Sequence, residues 1–206
     1  IFDLDGTLAD SMRVWDRLCG DWLLAKGKIP PESLGRDIAV MTLEQSAEYI
    51  IREFGIGLPA PRVIEEWLGA ARREYEETVA LKEGAAELIS AMAKKGMRIG
   101  IATSCFPGAC EALLQKNGVS EHIGAIVYSN GTLRDKTWPD IWLECAVRLG
   151  VTPEDCVAFE DLRAAGKGIR RAGMAFVAVY DKSNREWDKM RAEADIAVLS
   201  LGELRF

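Results

Sequence analysis

From residue 84 onward the chain alternates stretches of helical periodicity with short apolar runs rich in Ile and Val, and few folds accommodate that rhythm. Strands buried on both faces read as continuous apolar runs, and parallel neighbours need a helical crossover between them, so the pattern specifies βαβ units around a parallel sheet. Strands are expected near Arg98 to Thr103, Ala125 to Ser129, Cys156 to Phe159, Ala175 to Tyr180 and Ile196 to Leu199. Helices fill the gaps, at Ala85 to Lys95, Gly108 to Lys116, Pro139 to Leu149 and Arg163 to Ala172, and each stops at or just before a glycine that can take a left-handed cap.

Residues 11 to 80 break the alternation. They read as three amphipathic helices in a row, with Trp15, Leu18, Cys19 and Trp22 on one face of the first, Leu43, Ala47, Ile50, Ile51 and Phe54 on the second, and Val63, Ile64, Trp67, Leu68, Ala71 and Tyr75 on the third. Thr42 and Gln45 have the spacing of a capping box at the second start. The expected organisation is a parallel-sheet core of residues 1–10 and 82–206 interrupted by a helical insertion of residues 11–81.

The formal net charge of -6 gives no overall basic field for a polyanion, so neither nucleic acid nor an anionic membrane is expected as a main partner. No apolar stretch approaches the roughly 18 residues of a membrane span. The five cysteines are odd in number and form no CxxC pair, which fits neither a disulfide framework nor a zinc site and points to a reducing cytoplasm. No secretory leader is expected. His122, in a polar loop, is expected to be exposed, and Trp15, Trp22 and Trp67 to be packing residues.

The chemistry concentrates at strand ends. The first apolar segment closes on Phe2-Asp3-Leu4-Asp5-Gly6-Thr7-Leu8, two carboxylates at the carboxyl end of a strand, where open α/β sheets bind ligands. Gly6 permits a sharp turn, and the pair makes a place for a hard cation and an attacking oxygen. The string DxDGTL resembles the first motif of the haloacid dehalogenase superfamily of phosphotransferases, and the resemblance extends over nearly the whole chain because three further motifs follow in order. Ile99-Gly100-Ile101-Ala102-Thr103-Ser104 matches the second, with Thr103 in the motif position and Ser104 beside it. Lys136-Thr137-Trp138-Pro139-Asp140 matches the third in Lys136, with Thr137 where Pro is commoner and Arg134 as the nearest competing cation. Glu160-Asp161 after Cys156-Val157-Ala158-Phe159 matches the fourth, with Leu162 where relatives usually carry Ser.

The resemblance implies a Rossmann-like doubly wound parallel sheet with an inserted α-helical cap domain, and a Mg²⁺-dependent phosphatase acting on a small phosphorylated metabolite, as a monomer or weak homodimer. It implies Asp3 as nucleophile and Asp5 as acid and base, phosphate contacts from Thr103, Ser104 and Lys136, and metal ligation by Asp3, Asp5, Glu160 and Asp161. A phospho-signalling receiver module is disfavoured, since its phosphorylated Asp lies mid-chain and it has no helical insertion. Asp5 argues against a dehalogenase or phosphonate hydrolase. The strongest rival is a sugar phosphomutase resembling β-phosphoglucomutase, which would carry a His shortly after the first motif and an Arg at the second cap helix; this chain has Trp15 and Leu43 in those regions.

Overall fold

The computed structural model describes residues 1–38, 41–129 and 133–205, and these group into two compact units, Ile1–Ser11 with Val79–Phe206 and, separately, Met12–Thr78.

In the larger unit the strands are β1 (Ile99–Thr103), β2 (Ile123–Tyr128), β3 (Val157–Glu160), β4 (Ala175–Val179) and β5 (Ile196–Val198), every pairing parallel. The segment Ile1–Asp3 is too short for a regular strand, yet it joins the two halves of the sheet. Phe2 N–H donates to Gly100 O at 2.8 Å and Ala102 N–H to Phe2 O at 2.9 Å, while on the other side Phe159 N–H donates to Ile1 O at 2.9 Å and Asp3 N–H to Phe159 O at 3.0 Å. The order is therefore β2, β1, Ile1–Asp3, β3, β4, β5, a doubly wound α/β sheet that runs outward in both directions from its first segment. Brackets of helix follow the strands, α5 (Ala85–Lys94), α6 (Pro107–Lys116), α7 (Asp140–Leu149) and α8 (Arg163–Arg171). Phe2 and Phe159 stack at the centre, ring centroids 4.2 Å apart, and Trp142 on α7 is fully buried among Val127, Cys145 and Ala158.

The smaller unit contains α1 (Met12–Ala25), α2 (Leu34–Ile38), α3 (Leu43–Phe54) and α4 (Ala60–Glu77). Its core holds part of the set the periodicity marks: Leu18, Trp22, Ala47, Ile50, Val63, Trp67, Ala71 and Tyr75 are buried, and Trp22 meets Trp67 edge to face at 5.9 Å, whereas Trp15, Cys19, Ile51, Phe54, Ile64 and Leu68 lie at the margin, partly buried, and Leu43, in the first turn of α3, is exposed. The Thr42 and Gln45 capping box forms in both directions.

Several boundaries differ from expectation for local reasons. The short α2 was not anticipated because five residues show no full period. Helix α4 starts at Ala60, three residues before Val63, because Pro61 is acceptable in a first turn, where its missing N–H leaves no bond unmade. Strand β2 starts at Ile123 rather than Ala125. A ninth helix, α9 (Trp187–Glu193), is polar apart from Trp187 and the buried Met190, so no apolar stripe announces it. Among the described residues, no helix is long and apolar enough to cross a membrane.

Candidate active site

Asp3 ends the central segment, and the pairing of Phe2 with both Ile101 and Phe159 brings it level with the carboxyl ends of β1 and β3. Asp3 is 5 % exposed, and its carboxylate accepts from Lys136 Nζ. The chain then turns back on itself, Leu8 and Ala9 both donating to Leu4 O. Gly6 makes this turn possible twice over: its φ is +84°, and a Cβ there would lie 2.3 Å from Asp161 Oδ2. Asp5 is half-buried and accepts from Ser11 Oγ at 2.5 Å.

The fourth-motif carboxylates are buried at the end of β3. Glu160 Oε1 accepts from the backbone N–H of Asp161 at 3.1 Å and of Leu162 at 3.0 Å, and Glu160 Oε2 accepts from Lys136 Nζ at 2.9 Å. Leu162, where relatives usually have Ser, therefore contributes its backbone while its side chain is half-exposed. Asp161 Oδ1 accepts from Thr7 Oγ1 at 2.9 Å, and Asn184 Nδ2 donates to Asp161 O at 2.5 Å.

Carboxylate oxygens of Asp3, Glu160 and Asp161 lie within 4.8 Å of one another. Burial raises the Asp3 carboxyl to about 7, with Glu160 and Asp5 adding to the rise and Lys136 opposing it. Burial, then the charges of Glu160 and Asp3, also lift Asp161 well above its ordinary value, against the Thr7 hydrogen bond. At Lys136 burial alone would depress the ammonium, but Asp3 and Glu160 overcome it and the group stays charged. Three buried carboxyl groups gathered beside the Lys136 ammonium make a place where a further positive charge is favoured.

A hard divalent cation fits this arrangement on two grounds. The donors are all oxygens, which suits Mg²⁺ rather than zinc or copper, and Asp161 Oδ2 is a buried acceptor with no hydrogen-bond partner among the described residues. The carboxylate of Asp5, expected among the metal ligands, is not one of this cluster.

Thr103 closes β1 fully buried, its Oγ1 accepting from Cys105 N–H at 2.9 Å, which leaves the hydroxyl proton free to donate elsewhere. Ser104 beside it is exposed. The two candidate cations of the third motif separate cleanly. Arg134 forks onto Asp140 at 2.9 and 3.0 Å and is half-exposed, whereas Lys136 is the one that reaches Asp3 and Glu160. His122, half-buried beside Glu121, stands outside the cluster, and Cys105, Cys110, Cys145 and Cys156 are buried thiols. Sequence reasoning missed Thr7 and Asn184 as supports of Asp161. Thr7 lies inside the DxDGTL string and was legible there; Asn184, in the loop after β4, carries no local signal.

Residues 1–179 match the sequence model of the haloacid dehalogenase-like hydrolases. CbbY of Rhodobacter capsulatus is 30% identical over 215 residues, covering 97% of this chain and 92% of that protein. Hexitol phosphatase B of Escherichia coli K12 is 28% identical over 210 residues, covering 99% and 92%. The crystal structure of CbbY from Rhodobacter sphaeroides in complex with phosphate superposes with a TM-score of 0.81 at 24% identity, over 98% of this chain and 94% of that one, and so shares its fold. With the acidic strand-end cluster in a doubly wound sheet and a family match over most of its length, this chain belongs to the haloacid dehalogenase-like hydrolases.

Proposed function

We propose that this enzyme is a Mg²⁺-dependent phosphatase that hydrolyses a small phosphorylated metabolite, a sugar phosphate or similar, through an aspartyl-phosphate on Asp3. The observation that carries the reading is the buried Asp3 carboxylate held by Lys136 within 4.8 Å of the Glu160 and Asp161 oxygens, at the switch point of the sheet. The names of the relatives support the reaction class: hexitol phosphatase B, and a CbbY relative whose structure contains phosphate.

Asp3, Glu160 and Asp161 would hold the cation, with the backbone carbonyl of Asp5. Bound there, Mg²⁺ offsets the repulsion between the carboxylates and an incoming phosphate and favours the in-line transition state. Asp3 attacks phosphorus as the P–O bond to the leaving group breaks, and Asp5 delivers a proton to that oxygen. Asp5, now a carboxylate, takes a proton from water as its oxygen attacks phosphorus, releasing Asp3 and inorganic phosphate. Lys136 Nζ and the free Thr103 proton meet charge on the equatorial oxygens, with Ser104 as a further donor. The helical insertion, residues 11–81, would act as the cap and supply contacts to the substrate.

Water is read as the acceptor in preference to a second sugar. The stretch from Asp10 to Trp15 holds no histidine of the kind the mutases carry, Trp15 Nε1 donates to Tyr75 OH at 3.0 Å within the helical unit, and Leu43 offers no charge for a distal phosphate. Purified protein should hydrolyse p-nitrophenyl phosphate with Mg²⁺ and lose that activity in EDTA; full activity without any divalent metal refutes the reading. With β-glucose 1-phosphate and a trace of glucose 1,6-bisphosphate, released phosphate should exceed glucose 6-phosphate, and the reverse would establish the mutase.

A further inference from the structure

Lys136 sits in a stretch without regular secondary structure, yet its ammonium is placed between two carboxylates. A long flexible side chain on a free loop would not hold that position, so the backbone that carries it must itself be fixed. The fixing comes from α8. A Cβ at Gly168, in the middle of that helix, would lie 2.0 Å from Lys136 O, 2.7 Å from Trp138 O and 3.1 Å from Lys136 C, so helix and loop meet backbone to backbone with no room for a methyl group. Three residues further along the same helix, Arg171 Nη1 donates to Thr137 O at 2.7 Å. The guanidiniums of Arg171 and Arg134 lie over the Trp138 ring, 4.8 and 4.1 Å from its centroid, and Arg134 is itself forked onto Asp140. All three peptide units from Lys136 to Trp138 are thus held against one helix, and that helix begins directly after Glu160-Asp161-Leu162.

We propose that Gly168 and Arg171 are positioning residues: α8 carries the acidic pair at its head and clamps the Lys136 loop along its side, so one rigid element sets the lysine and the carboxylates in mutual register. This rests on the reading of Lys136 as the group that meets the phosphoryl oxygens. Gly168 is informative because helix propensity taken alone favours Ala at an interior position, so a loss there has to come from the loop. Since real Cβ contacts below 3.0 Å essentially never occur, Gly168→Ala must move the Lys136 carbonyl by about 1 Å, and a misplacement of that size lowers turnover by about 100-fold.

The test measures kcat and KM for p-nitrophenyl phosphate at saturating Mg²⁺, with thermal melts, for Gly168→Ala, Arg171→Met and Arg171→Lys, each in the wild-type and Lys136→Ala backgrounds. Arg171 is exposed, so its variants keep the test valid even if Gly168→Ala folds poorly. Gly168→Ala should lower kcat by about 100-fold, Arg171→Met by less, and Arg171→Lys should recover part of the loss by donating to Thr137 O. In the Lys136→Ala background neither Gly168→Ala nor Arg171→Met should lower kcat further, because the group they position is gone. Wild-type kcat in both variants, or equal fold-losses in both backgrounds, overturns the clamp while leaving the phosphatase reading in place. Wild-type kcat in Lys136→Ala alone shows instead that the role given to Lys136 is wrong, and an inactive wild-type protein overturns both.

Discussion

Asp3→Asn should alter how the stability of the metal-free protein depends on pH, by an amount the buried cluster fixes in advance. Burial and neighbouring carboxylates raise the Asp3 carboxyl from the ordinary 3.8 to about 7, so the folded chain holds that proton more tightly than the unfolded chain does. Above pH 7 the folded state carries the buried charge and gains nothing from the proton; as pH falls from 7 toward 3.8 it is protonated while the unfolded chain is still ionised, and folding is favoured. Between pH 8 and pH 5 the linkage amounts to about 2–3 kcal/mol. Asn cannot titrate, so the variant lacks this gain, and it also lowers the rise at Asp161, which depends in part on the Asp3 charge. Urea denaturation in EDTA at pH 5 and 8 reads the effect: with a slope of about 2 kcal/mol per molar, the wild-type midpoint should move relative to the variant by about 1 M. Mg²⁺ at 100 times its dissociation constant should stabilise the wild-type protein at pH 8 by about 2.7 kcal/mol and leave Asp3→Asn much less affected. Parallel pH profiles for the two proteins would refute the buried, cation-seeking character assigned to Asp3. Turnover should be lost in the variant throughout, because an amide is a poor nucleophile.

Thr7→Val removes the hydrogen bond to Asp161 Oδ1, and the Mg²⁺ concentration for half-maximal activity should rise by roughly 10- to 100-fold, read from a metal titration of turnover. Gly6→Ala forces a methyl group to 2.3 Å from Asp161 Oδ2 at a φ of +84°; metal-dependent activity should disappear, and a melt should show the strain of about 1–2 kcal/mol from the left-handed backbone. Trp67→Ala empties the centre of the helical unit, where Trp67 is fully buried, and chemical denaturation should report a loss of about 3–5 kcal/mol.

The larger unit was legible because β1, β3 and β4 are buried on both faces and its helices end on glycines, so two independent signals mark the same boundaries: Gly96, Gly118, Gly150 and Gly173 all adopt positive φ just past the helices they close. The helical unit was legible for a related reason, since Val63, Trp67, Ala71 and Tyr75 recur at helical spacing and all four are buried on α4. The polar α9 and the short α2 were not, because a helix that buries one or two side chains leaves no stripe. The residues expected at the site were read from strand ends, where two or three neighbours in sequence share one location. Supports that arrive from elsewhere, such as Asn184 on Asp161 or Gly168 beneath Lys136, have no such neighbours, and their meaning depends on what packs against them.

The same limit applies to the charge balance of the site, which no single motif contains. Asp3 and Asp5 on their own are an acidic turn, and Glu160-Asp161 on its own is another; each is unremarkable in water. Phe2 pairs with Phe159 and draws the two together, burying Asp3, Glu160 and Asp161 beside the Lys136 ammonium. Burial then converts solvated carboxylates into groups that must find a proton or a cation, and the raised Asp3 and Asp161 record that demand. Proton and cation compete for the same oxygens, so Mg²⁺ activation should weaken as pH falls below about 7, where Asp3 takes up its proton. The metal concentration for half-maximal turnover, measured from pH 8 to pH 5.5, should rise progressively over that range. A constant value would mean that the carboxylates of this cluster do not hold the activating cation.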